Sequence, residues 1–94
     1  MKVNVKTTNG TKKTYVIDIK PLDTILGLKQ YIEKLSGIPI NRIKLFHLTN
    51  GHEKKVPGDI IYPNDLVGRV TFDEKTLLSS DVQDGSIFYL CIKN

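Results

Sequence analysis

A change of hydrophobic period within the first forty residues limits the folds open to this chain. Val3 and Val5 alternate with Lys2, Asn4 and Lys6, the period-two pattern of a strand with one apolar face. Asn9-Gly10, between Thr8 and Thr11, supplies turn chemistry, because both residues tolerate positive φ. A second alternating run then puts Tyr15, Ile17 and Ile19 on one face and Thr14, Val16 and Asp18 on the other. Pro21, which cannot donate to a ladder, ends it. The period now becomes helical: Ile25, Leu28, Ile32 and Leu35 recur at i, i+3, i+7 and i+10 behind the N-cap signal Asp23-Thr24. Gly37 suits a left-handed helix exit, and Pro39 forbids continuation. The expectation is a hairpin followed by one amphipathic helix whose apolar stripe lies across it.

The remainder reads as strands separated by turns. In Ile43–Leu48, Ile43 and Leu45 share one face, and Lys44, Phe46 and Leu48 share the other. Residues 49–68 hold Asn50-Gly51, Pro57-Gly58-Asp59 and Pro63-Asn64-Asp65 around Ile60-Ile61-Tyr62, which fits either a long loop or a small extra hairpin. Val70-Thr71-Phe72 reads as a short fourth strand. Ile87–Ile92 reads as the closing strand, with Phe88 and Leu90 facing one way and Ile87, Tyr89 and Cys91 the other. A chain of 94 residues is the size of one domain. The expected architecture is therefore a single α+β domain over residues 1–94. Four to five strands form a mixed sheet, one helix crosses it, and residues 49–68 are an insertion.

Composition removes several function classes. Cys91 is the only cysteine and His47 and His52 the only histidines, so there is no internal disulfide and no zinc-ligand spacing. No apolar run approaches the roughly 18 residues of a membrane span, and Met1–Lys6 lacks the pattern of a secretory leader. These features lead to the expectation of an intracellular protein, cytoplasmic or nuclear, without a membrane partner. There is no Gly-rich phosphate loop, HExxH or nucleophile elbow, and Asp73-Glu74 reads as turn residues. The expectation is a protein that is not an enzyme and uses no cofactor or metal. His47 is read as a strand-edge side chain, and Cys91 as a small, partly shielded strand residue rather than a reactive thiol. Lys12-Lys13 and Lys54-Lys55 are read as solvated turn charges. Charge is uneven: residues 1–55 carry eleven Lys/Arg against four Asp/Glu, and residues 56–94 carry three against six. A basic first half suits acidic protein surfaces or nucleic acid.

The order of elements is that of a β-grasp, and the residues resemble the ubiquitin family from Met1 through Ile92. Met1-Lys2-Val3-Asn4-Val5-Lys6-Thr7, with Gly10 in the turn, is similar to the family's first strand and turn. Pro21-Leu22-Asp23-Thr24-Ile25, Leu28-Lys29 and Ile32 resemble the start and inner face of its helix, and Gly37-Ile38-Pro39 the exit. Thr76-Leu77, Val82-Gln83, Ser86, Phe88 and Leu90 follow its closing segment. The resemblance implies a ubiquitin-like β-grasp.

Besides the long stretch 49–68, two departures bear on function. Conjugated members end in a flexible Gly-Gly tail, which the final Ile92-Lys93-Asn94 lacks, so the expectation is a non-conjugated module. The family is read mainly through an apolar patch on its exposed sheet face. By position, that patch falls here on Thr8, Phe46 and Cys91, with Lys6, Lys44 and Tyr89 around them. These six residues are the expected partner-binding set, with Phe46 as an exposed anchor unless 49–68 folds back and covers it with Ile60, Ile61 or Tyr62. The resemblance implies protein partners such as ubiquitin-binding domains, proteasome receptors or ubiquitin-pathway enzymes, met by a monomer. Nucleic-acid binding, RNA above all, through the same basic aromatic face is the alternative.

Overall fold

A computed structural model of the chain describes residues 1–8, 12–50, 60–62 and 66–93. Strand β1 (Lys2–Thr7) pairs antiparallel with β2 (Thr14–Asp18), so that Val3 meets Ile17 and Val5 meets Tyr15. Ile17 and Ile19 are buried, and Tyr15 packs against the core from its edge. The Asn9-Gly10 turn expected from the sequence lies outside the described residues.

Helix α1 spans Ile25–Ser36. The Thr24 hydroxyl caps it by accepting from the Gly27 amide at 3.1 Å, and Gly37 ends it at φ 77. Asp23 serves the preceding turn instead, accepting from the Lys20 amide. Ile25, Leu28 and Ile32 are fully buried. Each such side chain contributes about 1.5–3 kcal/mol relative to an exposed one. Leu35, expected on the same stripe, is 57% exposed. At about 100° per residue it stands roughly 60° from Ile32, on the flank of the stripe in the helix's last turn. Ser36 is nearer the stripe's axis, and its hydroxyl donates to the Ile32 carbonyl at 2.6 Å.

A 3-10 turn at Ile40–Arg42 leads into β3 (Ile43–Asn50). The stretch 49–68, readable as loop or hairpin, includes β4 (Ile60–Tyr62), antiparallel to β5 (Leu66–Val70). Strand β5 in turn pairs with β3, from Phe46–Val70 to Asn50–Leu66. The expected strand at 70–72 thus lies earlier in the chain. At its end Thr71 turns its hydroxyl onto the Leu45 carbonyl at 2.9 Å, and Phe72 emerges 58% exposed. Strand β6 (Ile87–Ile92) completes the sheet. It runs parallel to β1 and antiparallel to β3, giving the order β2-β1-β6-β3-β5-β4. The sheet is mixed, and three-residue β4 extends it at one edge.

One face of this sheet carries the core: Val3, Val5, Ile17, Ile43, Leu45, Phe88 and Leu90, roofed by α1, Leu77 and Val82. The roof is tied down by backbone bonds from Leu77 to Asp23 (2.8 Å) and from Ile25 to Lys75 (2.9 Å). At the far end of β6, Lys93 and Arg42 hold each other. The Lys93 amide donates to the Arg42 carbonyl at 2.7 Å, and the Arg42 Nε donates to the Lys93 carbonyl at 2.9 Å.

Candidate functional site

Strand pairing fixes what stands together on the face opposite α1, because residues paired across a sheet share a face. Lys6 pairs with Thr14 on β2 and with Tyr89 on β6, Tyr89 pairs with Phe46 on β3, and Phe46 pairs with Val70 on β5. A row Thr14, Lys6, Tyr89, Phe46, Val70 therefore crosses the sheet. Beside it, Cys91 pairs with Lys44. Five of the six residues expected at the site thus lie in adjacent register positions on one face, and Thr8 follows directly at the end of β1.

Their exposure differs from the expectation at one position. Lys6, Thr8 and Lys44 are exposed, and Tyr89 and Cys91 are half-buried. Phe46, expected as the exposed anchor, is only 3% exposed. It does point away from Ile43 and Leu45, as alternation requires, and it is not a member of the helix-side core. The error lay in equating that face with solvent. Strand β3 is interior, Phe46 has Tyr89 and Val70 beside it in register, and the Lys44 ammonium lies over its ring at 5.2 Å from the centroid. Such a contact is a cation–π interaction. Phe46 is a packed support, and the accessible groups are Lys6, Lys44, Tyr89, Cys91 and the end of β1. Thr8 is bound there twice, its amide (2.9 Å) and its hydroxyl (3.1 Å) both donating to the Leu90 carbonyl.

Two residues read as solvated turn charges, and exposed as expected, border this surface. Lys12 and Lys13 line, together with Lys6, an open cavity of about 410 Å³ whose wall includes Thr7, Thr8, Thr14 and Tyr89. Strand pairing carries the signal: Lys6 opposite Thr14 brings the residues just before Thr14 back toward β1. Sequence spacing of Lys6 from Lys12-Lys13 shows this only once the register is known.

His47 belongs to the other face. It lies on an interior strand, not at the sheet edge, is 8% exposed, and stacks on Phe88 with ring centroids 5.1 Å apart. Burial holds its pKa below the ordinary 6.5; Asp81 opposes this and Arg69 reinforces it. A histidine kept neutral in the folded state contributes stability that is fully present above 6.5. That stability is lost as pH falls below 6.5 toward the lower folded value, because the unfolded chain then takes up the proton first. Urea denaturation between pH 7.5 and 5.5 should show stability falling with pH, by at most about 1.4 kcal/mol per pH unit for this one group. His47→Leu should flatten that slope. An unchanged slope in His47→Leu would assign it to other groups. Among the described residues no group of three or more His, Cys, Asp or Glu is placed to hold a metal ion, and no helix is long and apolar enough to cross a membrane.

Comparison with known proteins agrees with this architecture. Residues 3–48 match the model of the ubiquitin family. Among solved structures, that of a ubiquitin from Caldiarchaeum subterraneum superposes with a TM-score of 0.73. The match covers 100% of this chain and 94% of that one at 18% sequence identity. No curated protein sequence matches significantly. At that identity the structural likeness establishes the fold, and the fold is ubiquitin-like.

Proposed function

We propose, on the premise of a ubiquitin-like fold, that this domain is a protein-interaction module whose docking surface is the sheet face opposite α1, centred on β6. The carrying observation is the strand register. It sets the half-buried Tyr89 and Cys91 between the exposed ammonium groups of Lys6 and Lys44. An amphipathic ring and a small thiol-bearing side chain offer apolar area at the centre, and flanking lysines favour encounter with acidic partners. Phe46, packed beside Tyr89 on the same face, helps hold this surface in place, which lowers the ordering cost of binding. By likeness of fold, ubiquitin-binding helices and proteasome or ubiquitin-pathway receptors are the partner class proposed first.

Nucleic-acid binding through the same face is the second reading. It needs bases stacked on exposed aromatic rings beside phosphate-binding lysines. With Phe46 buried, Tyr89 is the one expected platform ring left accessible, which favours the protein reading. The test is capture of partners from nuclease-treated lysate by the domain and by its Tyr89→Ala/Lys44→Glu variant, with the fold of both checked by NMR dispersion. The expected result is loss of protein partners from the variant. Partners retained by both forms would place docking elsewhere, and partners lost to nuclease treatment alone would move the nucleic-acid reading ahead.

A further inference from the structure

We propose that the cavity beside Tyr89 is a distinct subsite for an acidic segment of a protein partner, one that places two or more carboxylates among Lys6, Lys12 and Lys13. This rests on the docking face proposed above and extends it past the end of β1. Lys6, Lys12 and Lys13 all line one open surface cavity of about 410 Å³. Among the described residues the ion pairs are those of the Met1 amino group with Asp18 and of Lys29 with Asp73, and neither engages the three lysines. Like charges gathered without a counter-charge repel one another, and an incoming carboxylate relieves that repulsion while it gains its own attraction.

The backbone at Thr7, Thr8 and Lys13 is held in place. The Thr7 amide donates to the Lys13 carbonyl at 3.0 Å, and the Lys13 amide donates to the Thr7 hydroxyl oxygen at 2.7 Å. The Thr8 amide is fixed on Leu90. A fixed backbone at Thr7, Thr8 and Lys13 lowers the ordering cost when a ligand arrives. Tyr89 forms the wall shared with the docking face, so one partner segment can lay an apolar side chain over Tyr89 and Cys91 and its acidic residues into the cavity. Carboxylates fit this arrangement better than a nucleic-acid backbone does. The lysines line one cavity instead of tracking a strand, and among the described residues Tyr89 is the only aromatic one in its wall.

The test is a titration of the isotope-labelled domain, followed by amide chemical shifts, with three probes at one ionic strength: a capped hexaglutamate peptide, a capped hexaglutamine peptide and hexauridylate. Hexaglutamate should move the amides of Lys6, Thr8, Lys12, Lys13, Thr14 and Tyr89 as a saturating set, and hexaglutamine should not. A triple variant Lys6→Gln/Lys12→Gln/Lys13→Gln, with an otherwise unchanged spectrum, should bind hexaglutamate roughly tenfold more weakly, the sum of several exposed ion pairs. Three results overturn the proposal: no saturable shifts, shifts spread equally over the distant Lys20, Lys34 and Lys93, or hexauridylate binding the cavity more tightly than hexaglutamate. The capture assay separates this from the docking-face reading. If Tyr89→Ala/Lys44→Glu loses the protein partner and the triple lysine variant keeps full affinity, the face stands and the subsite falls.

Discussion

Phe46→Asp should unfold the domain rather than yield a folded, non-binding protein. The ring is 3% exposed in an interior strand, flanked in register by Tyr89 and Val70. Its loss alone costs about 3–5 kcal/mol, the usual range for truncating a buried aromatic residue. A carboxylate left in its place adds several kcal/mol of desolvation unless it is paired. Lys44, now over the ring, is exposed and would have to leave water to pair with the shorter side chain. A domain of this size has about 5–15 kcal/mol in all. Circular dichroism and amide dispersion should therefore report a largely unfolded chain. Phe46→Leu, which keeps the site apolar, should remain folded. A well-dispersed Phe46→Asp spectrum with an unchanged denaturation midpoint would show that the ring is not packed as described.

Phe88→Ala should be comparably severe for a different reason. Phe88 is fully buried on the opposite face of the sheet, at the centre of β6, paired with Val5 on β1 and His47 on β3. It joins the parallel and antiparallel halves of the sheet beneath α1, and its ring supports the imidazole of His47. The truncation should cost about 3–5 kcal/mol in urea denaturation. It should also lift part of the burial that keeps His47 neutral, so the stability lost on acidification shrinks in the variant. A loss below about 1 kcal/mol would mean that the two halves of the sheet are held together by other contacts.

Much of the fold was legible because its signals are local. The hairpin shows as period-two alternation, and the helix announces its own ends at Thr24 and Gly37. Alternation also placed Lys44 and Phe46 opposite Ile43 and Leu45, and Tyr89 and Cys91 opposite Phe88 and Leu90. Exposure was not legible, because it depends on which side chains the neighbouring strands set alongside: Lys44 is exposed and Phe46 buried on one face of one strand. Phe46 is buried on a face that alternation marked only as not belonging to the helix-side core. Leu35 shows the converse: it matches the helical spacing, yet the stripe's flank meets solvent in the last turn. The position of Lys12 and Lys13 was hidden for a related reason. Two adjacent lysines after a turn look idle until pairing of Lys6 with Thr14 and Tyr89 brings them around one cavity. Residues 49–68 gave turn signals and a short apolar run, and neither fixed the pairing of β5 with β3, which is non-local.

The central claim is that partners dock on the sheet face around β6. It is tested most directly by mapping amide shifts of the labelled domain against a captured partner at saturation. The account predicts a contiguous set on that face, including Lys6, Lys44, Tyr89 and Cys91, with the helix-side residues Leu26, Gln30 and Lys34 unmoved. Shifts confined to α1, or to the exposed Leu22, Phe72 and Leu78 beside its first turn, would contradict it.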